Sequence, residues 1–212
     1  MKQTNQKNPF LSHLNPRPLL IVLSGPSGVG KDAILNRMRE LRCPVEFITT
    51  ATTRPRRATE RDNIDYYFVS TSKFKSMIES NDLMEWAHVY GNYYGVPKQP
   101  VKMALERQQD VIVKVDIQGA ATIKKLAPQA VFVFLITPTL EELKTRLTQR
   151  QTESPFDLSL RLKTAEEELK QLYLFDYLVV NHRDQIDQAV SDINAIIQAE
   201  KCRLVPRDIK ID

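Results

Sequence analysis

Residues 25–31 read Gly-Pro-Ser-Gly-Val-Gly-Lys. Three glycines ahead of a lysine let successive backbone N–H groups converge on one anion, and the lysine adds a mobile positive charge. The chemistry such a loop serves is the binding of nucleotide phosphates, with Lys31 reaching the β- and γ-phosphates. The apolar run Leu19–Leu23 precedes the loop and an amphipathic stretch follows it. A buried strand thus leads in and a helix leads out, which is the setting a phosphate loop needs and an ordinary turn does not. One residue departs from the pattern. Ser or Thr usually follows the lysine and offers a hydroxyl to Mg²⁺; here it is Asp32. Either the loop no longer runs phosphoryl transfer, or a carboxylate has taken the metal side.

Two further groups of residues carry charge in patterns that suit phosphate. Arg54-Pro-Arg-Arg57 precedes the aromatic run Tyr66-Tyr-Phe68, and Arg146, Arg150 and Arg161 punctuate a later helical stretch. A guanidinium is a planar fork matched to phosphate oxygens. An arginine run on its own serves equally well as a solvated basic loop or an RNA patch. His13, His88 and His182 form no constellation, and Cys43 and Cys202 show no metal-ligand spacing.

Composition narrows the class. The 212 residues allow one domain with a real core, and the apolar and charged fractions of 42% and 26% are ordinary for a soluble globular protein. No apolar run approaches the ~20 residues of a membrane span. Sparse cysteine suits a reduced, cytoplasmic setting. The net charge of +4 suits anionic small molecules and does not by itself imply nucleic acid. Neither a nucleic-acid nor a membrane partner is expected; monomer and homodimer both stay open. Residues 1–17 read as a flexible leader and 206–212 as a tail that either packs back or frays. All six glycines fall in three places, 25/28/30, 91/95 and 119, each a candidate ligand-facing site.

The elements that must hold these residues alternate. Strands are expected at Leu19–Ser24, Val45–Ile48, Val111–Val115, Val131–Ile136 and Tyr177–Val180. Helices are expected over Asp32–Arg42, Ala120–Leu126, a segment opened by Pro138 with Thr139 and Glu142 at capping-box spacing, Asp157–Leu172 and Ile186–Ala199. Alternating strands and helices predict an α/β fold, with a parallel sheet flanked by helices. Residues from about 50 to 99 break the rhythm. A short helix, Phe74–Ser80, and a turn at Gly91-Asn92 suggest a small, mostly antiparallel inserted lobe.

Taken together, GPSGVGK, TTRPRR, DYYFVS, EWAHVYGNYYGVP, VDIQGA, RLTQR and FDYLVVN, in this order, resemble guanylate kinase over Pro18 to Arg203. The strings GKDAI, TATTR, DIQGAA and AEK resemble the plant-organellar and bacterial branch in which Asp also follows the loop lysine. The resemblance implies the P-loop nucleoside monophosphate kinase fold, spanning about 18–205, with the inserted lobe binding GMP and a helical lid at about 145–165. It implies transfer of the ATP γ-phosphoryl group to GMP with Mg²⁺. ATP would meet Gly25, Pro26, Ser27, Gly28, Val29, Gly30, Lys31, Asp32 and Asn181. GMP would meet Thr50, Arg54, Arg57, Glu60, Tyr66, Glu85, Tyr94, Val96 and Asp116. Lys31, Arg54, Arg146, Arg150 and Arg161 would carry catalysis, and Asp32 would serve the metal. Glu85, with Asp116 nearby, is the implied reader of guanine, whose adjacent N1–H and N2 amine donors suit a carboxylate.

Two positions depart from the family. Val96 stands where Ser or Thr commonly helps bind the base carbonyl. Lys114 stands where many relatives carry a carboxylate; it either helps neutralise phosphate or balances Asp32. Two other readings stay in view: a phosphopeptide-binding module of guanylate-kinase type without catalysis, and a kinase for another phosphorylated small molecule.

Overall fold

The computed structural model describes residues 16–58, 60–89, 91–149 and 155–211. In chain order the strands are β1 (Leu20–Ser24), β2 (Val45–Phe47), β3 (Ala51–Thr52), β4 (Tyr67–Phe68), β5 (Leu83–Val89), β6 (Asn92–Pro97), β7 (Asp110–Lys114), β8 (Val131–Ile136) and β9 (Tyr177–Val180). The helices are α1 (Lys31–Glu40), α2 (Thr71–Glu79), α3 (Lys98–Glu106), α4 (Ile117–Leu126), α5 (Leu140–Gln149), α6 (Pro155–Leu169) and α7 (Ile186–Lys201). The expected leader lies outside the described residues apart from Pro16 and Arg17.

The main sheet has the order β2-β7-β1-β8-β9, and all its neighbours run parallel. Strand β1 is central, and every residue in it is buried, as in a parallel sheet covered on both faces. The pleat divides its side chains. Leu19, Ile21 and Leu23 enter one core with Ile34, Leu35 and Met38 of α1 and Ala189, Val190, Ile193 and Ile197 of α7. Leu20 and Val22 enter a second core with Val101 and Ala104 of α3 and Ala120 and Ile123 of α4. At ~25 cal/mol per Å² of apolar surface, these two layers are the main force fixing where β1 ends and the phosphate loop begins.

The smaller sheet has the order β4-β3-β6-β5. Its β3–β6 and β5–β6 pairings are antiparallel, while β3–β4 is parallel. The lobe is mostly antiparallel, as expected, with one parallel pairing because β4 returns to β3 through the 53–66 loop instead of a hairpin. Phe74 and Met77 of α2 pack on Ala51 and Leu83 to give it a core of its own.

Several boundaries shift from the sequence reading. Helix α3 was not expected. Helix α4 begins at Ile117, three residues early, because Asp116 caps it by accepting from the Gly119 N–H at 2.8 Å. Before α5, only half of the capping box forms. Thr139 Oγ1 accepts from the Glu142 N–H at 3.1 Å, while the Glu142 carboxylate pairs with Arg146. The C-terminal tail packs back: Ile209 and Ile211 join the second core, and Arg207 grips buried Glu200.

Candidate active site

The carboxyl ends of β1, β7 and β9 deliver the chemistry to one edge of the main sheet, where α/β proteins bind ligands. Strand β1 runs into the glycine loop. Gly30 ends that loop at φ 99°, a left-handed conformation, and caps α1. A Cβ there would also lie 2.5 Å from Asn181 Nδ2. Asn181 uses that amide to hold the Val29 carbonyl at 2.8 Å. Arg146 joins the same clasp: it donates to Val29 O at 3.0 Å, to Asn181 O at 2.8 Å and to Glu142. Arg161, on α6, donates to Ser27 Oγ at 2.6 Å. Two of the three expected lid arginines thus touch the loop; Arg150 lies outside the described residues.

The Lys31 ammonium folds over its own loop and donates to the carbonyls of Gly25 and Pro26. Burial pulls its pKa down, while Glu168 and Asp32 oppose that. Glu168 was not read from the sequence. It lies two helical turns beyond Arg161 on α6, and burial pushes its carboxyl up to about 7 against the pull of Lys31. The i, i+7 spacing that puts both on one face of α6 was the available signal.

Across the cleft, Arg54 forms a bidentate pair with Glu60, at 3.0 and 2.8 Å. Glu60 also accepts from the Arg57 N–H at 2.9 Å. Burial works to raise the Glu60 pKa, yet these hydrogen bonds win and hold it below the usual carboxylate range. The Tyr66 ring lies 5.2 Å from the Arg54 guanidinium and meets Tyr94 edge-on at 6.2 Å between centroids. The arginine fork, its carboxylate and both tyrosines therefore form one cluster, as the sequence implies.

Glu85, on β5, is buried. Its carboxyl is pushed up to about 8, first by burial and then by Asp116, with the Val96 backbone amide acting weakly the other way. Burial likewise raises Asp116. Gly119 makes room for Glu85, since a Cβ there would lie 2.6 Å from Oε2. A cavity of about 370 Å³ borders Glu85, Trp86 and Thr122.

Two side chains expected at the base are turned to other partners. Val96 is fully enclosed in the second core with Met84 and Val101, so its side chain offers no ligand surface. The Thr50 hydroxyl is buried and donates to the Lys114 carbonyl at 3.1 Å.

Lys114 ends β7 in register with Leu23 of β1. Its ammonium pairs with Asp32 and lies 3.7 Å from the centroid of the Tyr66 ring. Of the two roles left open for Lys114, the structure forms the balance with Asp32.

Glu168, Asp32 and Asp116 all act on Lys31, but among the described residues no three His, Cys, Asp or Glu side chains cluster as a metal cage. Asp32, at the start of α1 with its side chain 47% exposed, still fits Mg²⁺. Kinases hold that ion with one or two carboxylates plus nucleotide phosphates and water.

A parallel sheet, a phosphate loop closed by a lysine, arginines reaching over it and a second basic, aromatic lobe define a P-loop phosphotransferase. The guanylate kinase family model matches residues 17–200. The chain is 44% identical to guanylate kinase 2, chloroplastic/mitochondrial, of Oryza sativa subsp. japonica, over 92% of this chain and 69% of that protein. It is 46% identical to a guanylate kinase of Caldanaerobacter subterraneus subsp. tengcongensis, over 88% of this chain and 89% of that one. The crystal structure of a guanylate kinase from Anaplasma phagocytophilum superposes with a TM-score of 0.73 at 27% identity, covering 89% of each chain. The chain belongs to the guanylate kinase family.

Proposed function

We propose that this chain moves the γ-phosphoryl group of ATP to GMP through the residues gathered at the sheet edge. The observation that carries the reading is the meeting of two phosphate-binding assemblies. The glycine loop with Lys31 faces the Arg54–Glu60–Tyr66 cluster across Lys114 and Asp32. A donor and an acceptor phosphate need such paired sites to lie in line.

Little covalent chemistry is demanded of the protein. The loop amides orient the donor phosphates, and Lys31 swings from the Gly25 and Pro26 carbonyls to the transferring group. Arg161, already on Ser27, neutralises charge from the lid side. Arg54 and Arg57 hold the GMP phosphate with Tyr66 and Tyr94, while Glu60 keeps the Arg54 fork in one orientation. Glu85 and Asp116 accept from the guanine N1–H and N2 amine. Asp32, together with the nucleotide phosphates, would hold Mg²⁺, which would supply charge neutralisation when bound. Helices α5 and α6 act as the lid, and the smaller sheet as the GMP lobe. Closure of the two excludes water, which would otherwise hydrolyse ATP.

ADP release measured with GMP, AMP, UMP and a sugar phosphate as acceptors tests the reading. Turnover with GMP at least tenfold above every other acceptor is expected. Equal use of the acceptors, or none, overturns it.

A further inference from the structure

We infer that Lys114 is a positioning residue for the acceptor phosphate, held ready by Asp32. The inference rests on the proposed GMP site and adds a residue to it. The Lys114 side chain is 9% exposed, yet its ion-pair partner Asp32 is 47% exposed. A buried ammonium needs compensation, and a half-exposed carboxylate is a screened and therefore partial source of it. The rest comes from the Tyr66 ring face, 3.7 Å from Nζ.

That ring is shared. Arg54 lies 5.2 Å from the same centroid, and Arg54 is fixed by Glu60. Asp32, Lys114, Tyr66, Arg54 and Glu60 thus form one chain of contacts from the donor loop to the acceptor cluster. Lys114 stands at its middle, with its backbone fixed by the β1 register at Leu23 and by the Thr50 hydroxyl. Its ammonium has three donors and strict orientation from neither partner. A phosphate drawn to Tyr66 and Arg54 comes within reach of that ammonium, which then trades a screened carboxylate for a dianion. Asp32 is in this view the holder that keeps the ammonium at this place before substrate arrives.

The test compares GMP with guanosine, which lacks the phosphate. Binding is followed by calorimetry without ATP or Mg²⁺, with the single tryptophan, Trp86, as a fluorescent check. Lys114→Met is expected to weaken GMP at least tenfold and guanosine less than twofold. Lys114→Arg is expected to restore most of the GMP affinity. Asp32→Asn, which removes the holder, is expected to weaken GMP about threefold to fivefold, less than Lys114→Met does. Lys114→Gln supplies the same comparison should the Met variant fail to fold, with thermal melting as the control. Equal losses for GMP and guanosine, or equal effects of the Asp32 and Lys114 changes, reduce the pair to a structural ion pair and overturn the inference. Failure of the unaltered protein to bind either ligand overturns the acceptor site itself, and is distinguishable from both.

Discussion

Gly119 and Glu85 are fitted to each other: a Cβ at position 119 would lie 2.6 Å from Glu85 Oε2 and 2.9 Å from its carboxyl carbon. Glu85 is buried and cannot swing into solvent without dragging β5. Gly119→Ala is therefore expected to push the carboxylate out of place. Alanine gains up to ~1 kcal/mol of helix propensity in α4, and overpacking costs ~1–3 kcal/mol, so stability changes little. The KM for GMP should rise about tenfold or more while that for ATP holds. Steady-state kinetics beside a melting curve checks this; a large loss of stability with unchanged KM refutes it.

Glu85 also predicts a proton. Its carboxyl is pushed up to about 8 by burial and Asp116, so the free protein holds it protonated at pH 7. Guanine brings two donors that favour the ionised form, which lowers the pKa in the complex. GMP binding should then release close to one proton at pH 7, and affinity should rise with pH until about 8. Calorimetry in buffers of different ionisation enthalpy reads the proton directly. Glu85→Gln should abolish the release and weaken GMP by ~1–3 kcal/mol, as expected for a mismatched buried donor.

Lys31→Ala removes the ammonium that now bridges the Gly25 and Pro26 carbonyls. The loop keeps its clasp through Val29, Asn181 and Arg146, so the fold and melting temperature should hold. The value of kcat should fall about 10²–10³-fold or more, as for loss of one preorganised charge at a transition state. Turnover within tenfold of the unaltered protein would remove the lysine from the transfer.

The parts of the fold legible in the sequence are those fixed by hydrophobic runs. Strands β1, β7 and β8 are short apolar segments buried on both faces, and β9 is a short apolar run at the sheet edge that buries Val179; their positions follow from those runs. Helix α3 carries two prolines at its start, Pro97 and Pro100, which mask a helical segment in the sequence. Pro97 caps the helix and Pro100 sits in its first turn, where a missing N–H costs nothing. The phosphate cluster was legible as motifs, but partner choice was not. Val96 turns to the core and the Thr50 hydroxyl to Lys114 because register and burial decide those contacts, and spacing does not encode them. Glu168 escaped although its i, i+7 spacing from Arg161 was there to see, since the run Glu166, Glu167 and Glu168 looks like a solvated face until α6 is packed in place.

The C-terminal tail supplies a stability prediction with a definite pH signature. Glu200 on α7 is 2% exposed and accepts from Arg207 twice, at 2.7 and 2.8 Å, and from the Tyr177 hydroxyl at 2.6 Å. Arg207 also donates to the Ala130 carbonyl at 3.0 Å, which ties the tail to the start of β8. These bonds, the Arg207 pair first, hold the Glu200 carboxyl down to about 2. A depressed carboxylate pKa stabilises the fold above its unfolded value of ~4.3, and that contribution fades as pH falls from there toward 2. Removing the arginine leaves a buried carboxylate with its main partner gone, which costs on the order of 2–4 kcal/mol. Arg207→Met should therefore lower the melting temperature at pH 7 by roughly 5–15 °C for a chain of this size. The gap to the unaltered protein should narrow steadily between pH 4.5 and 3, because acid protonates Glu200 and so weakens a pair that only the unaltered protein has. Thermal melts at four or five pH values decide it: a gap that stays constant across that window would mean that the tail holds the core through Ile209 and Ile211 alone.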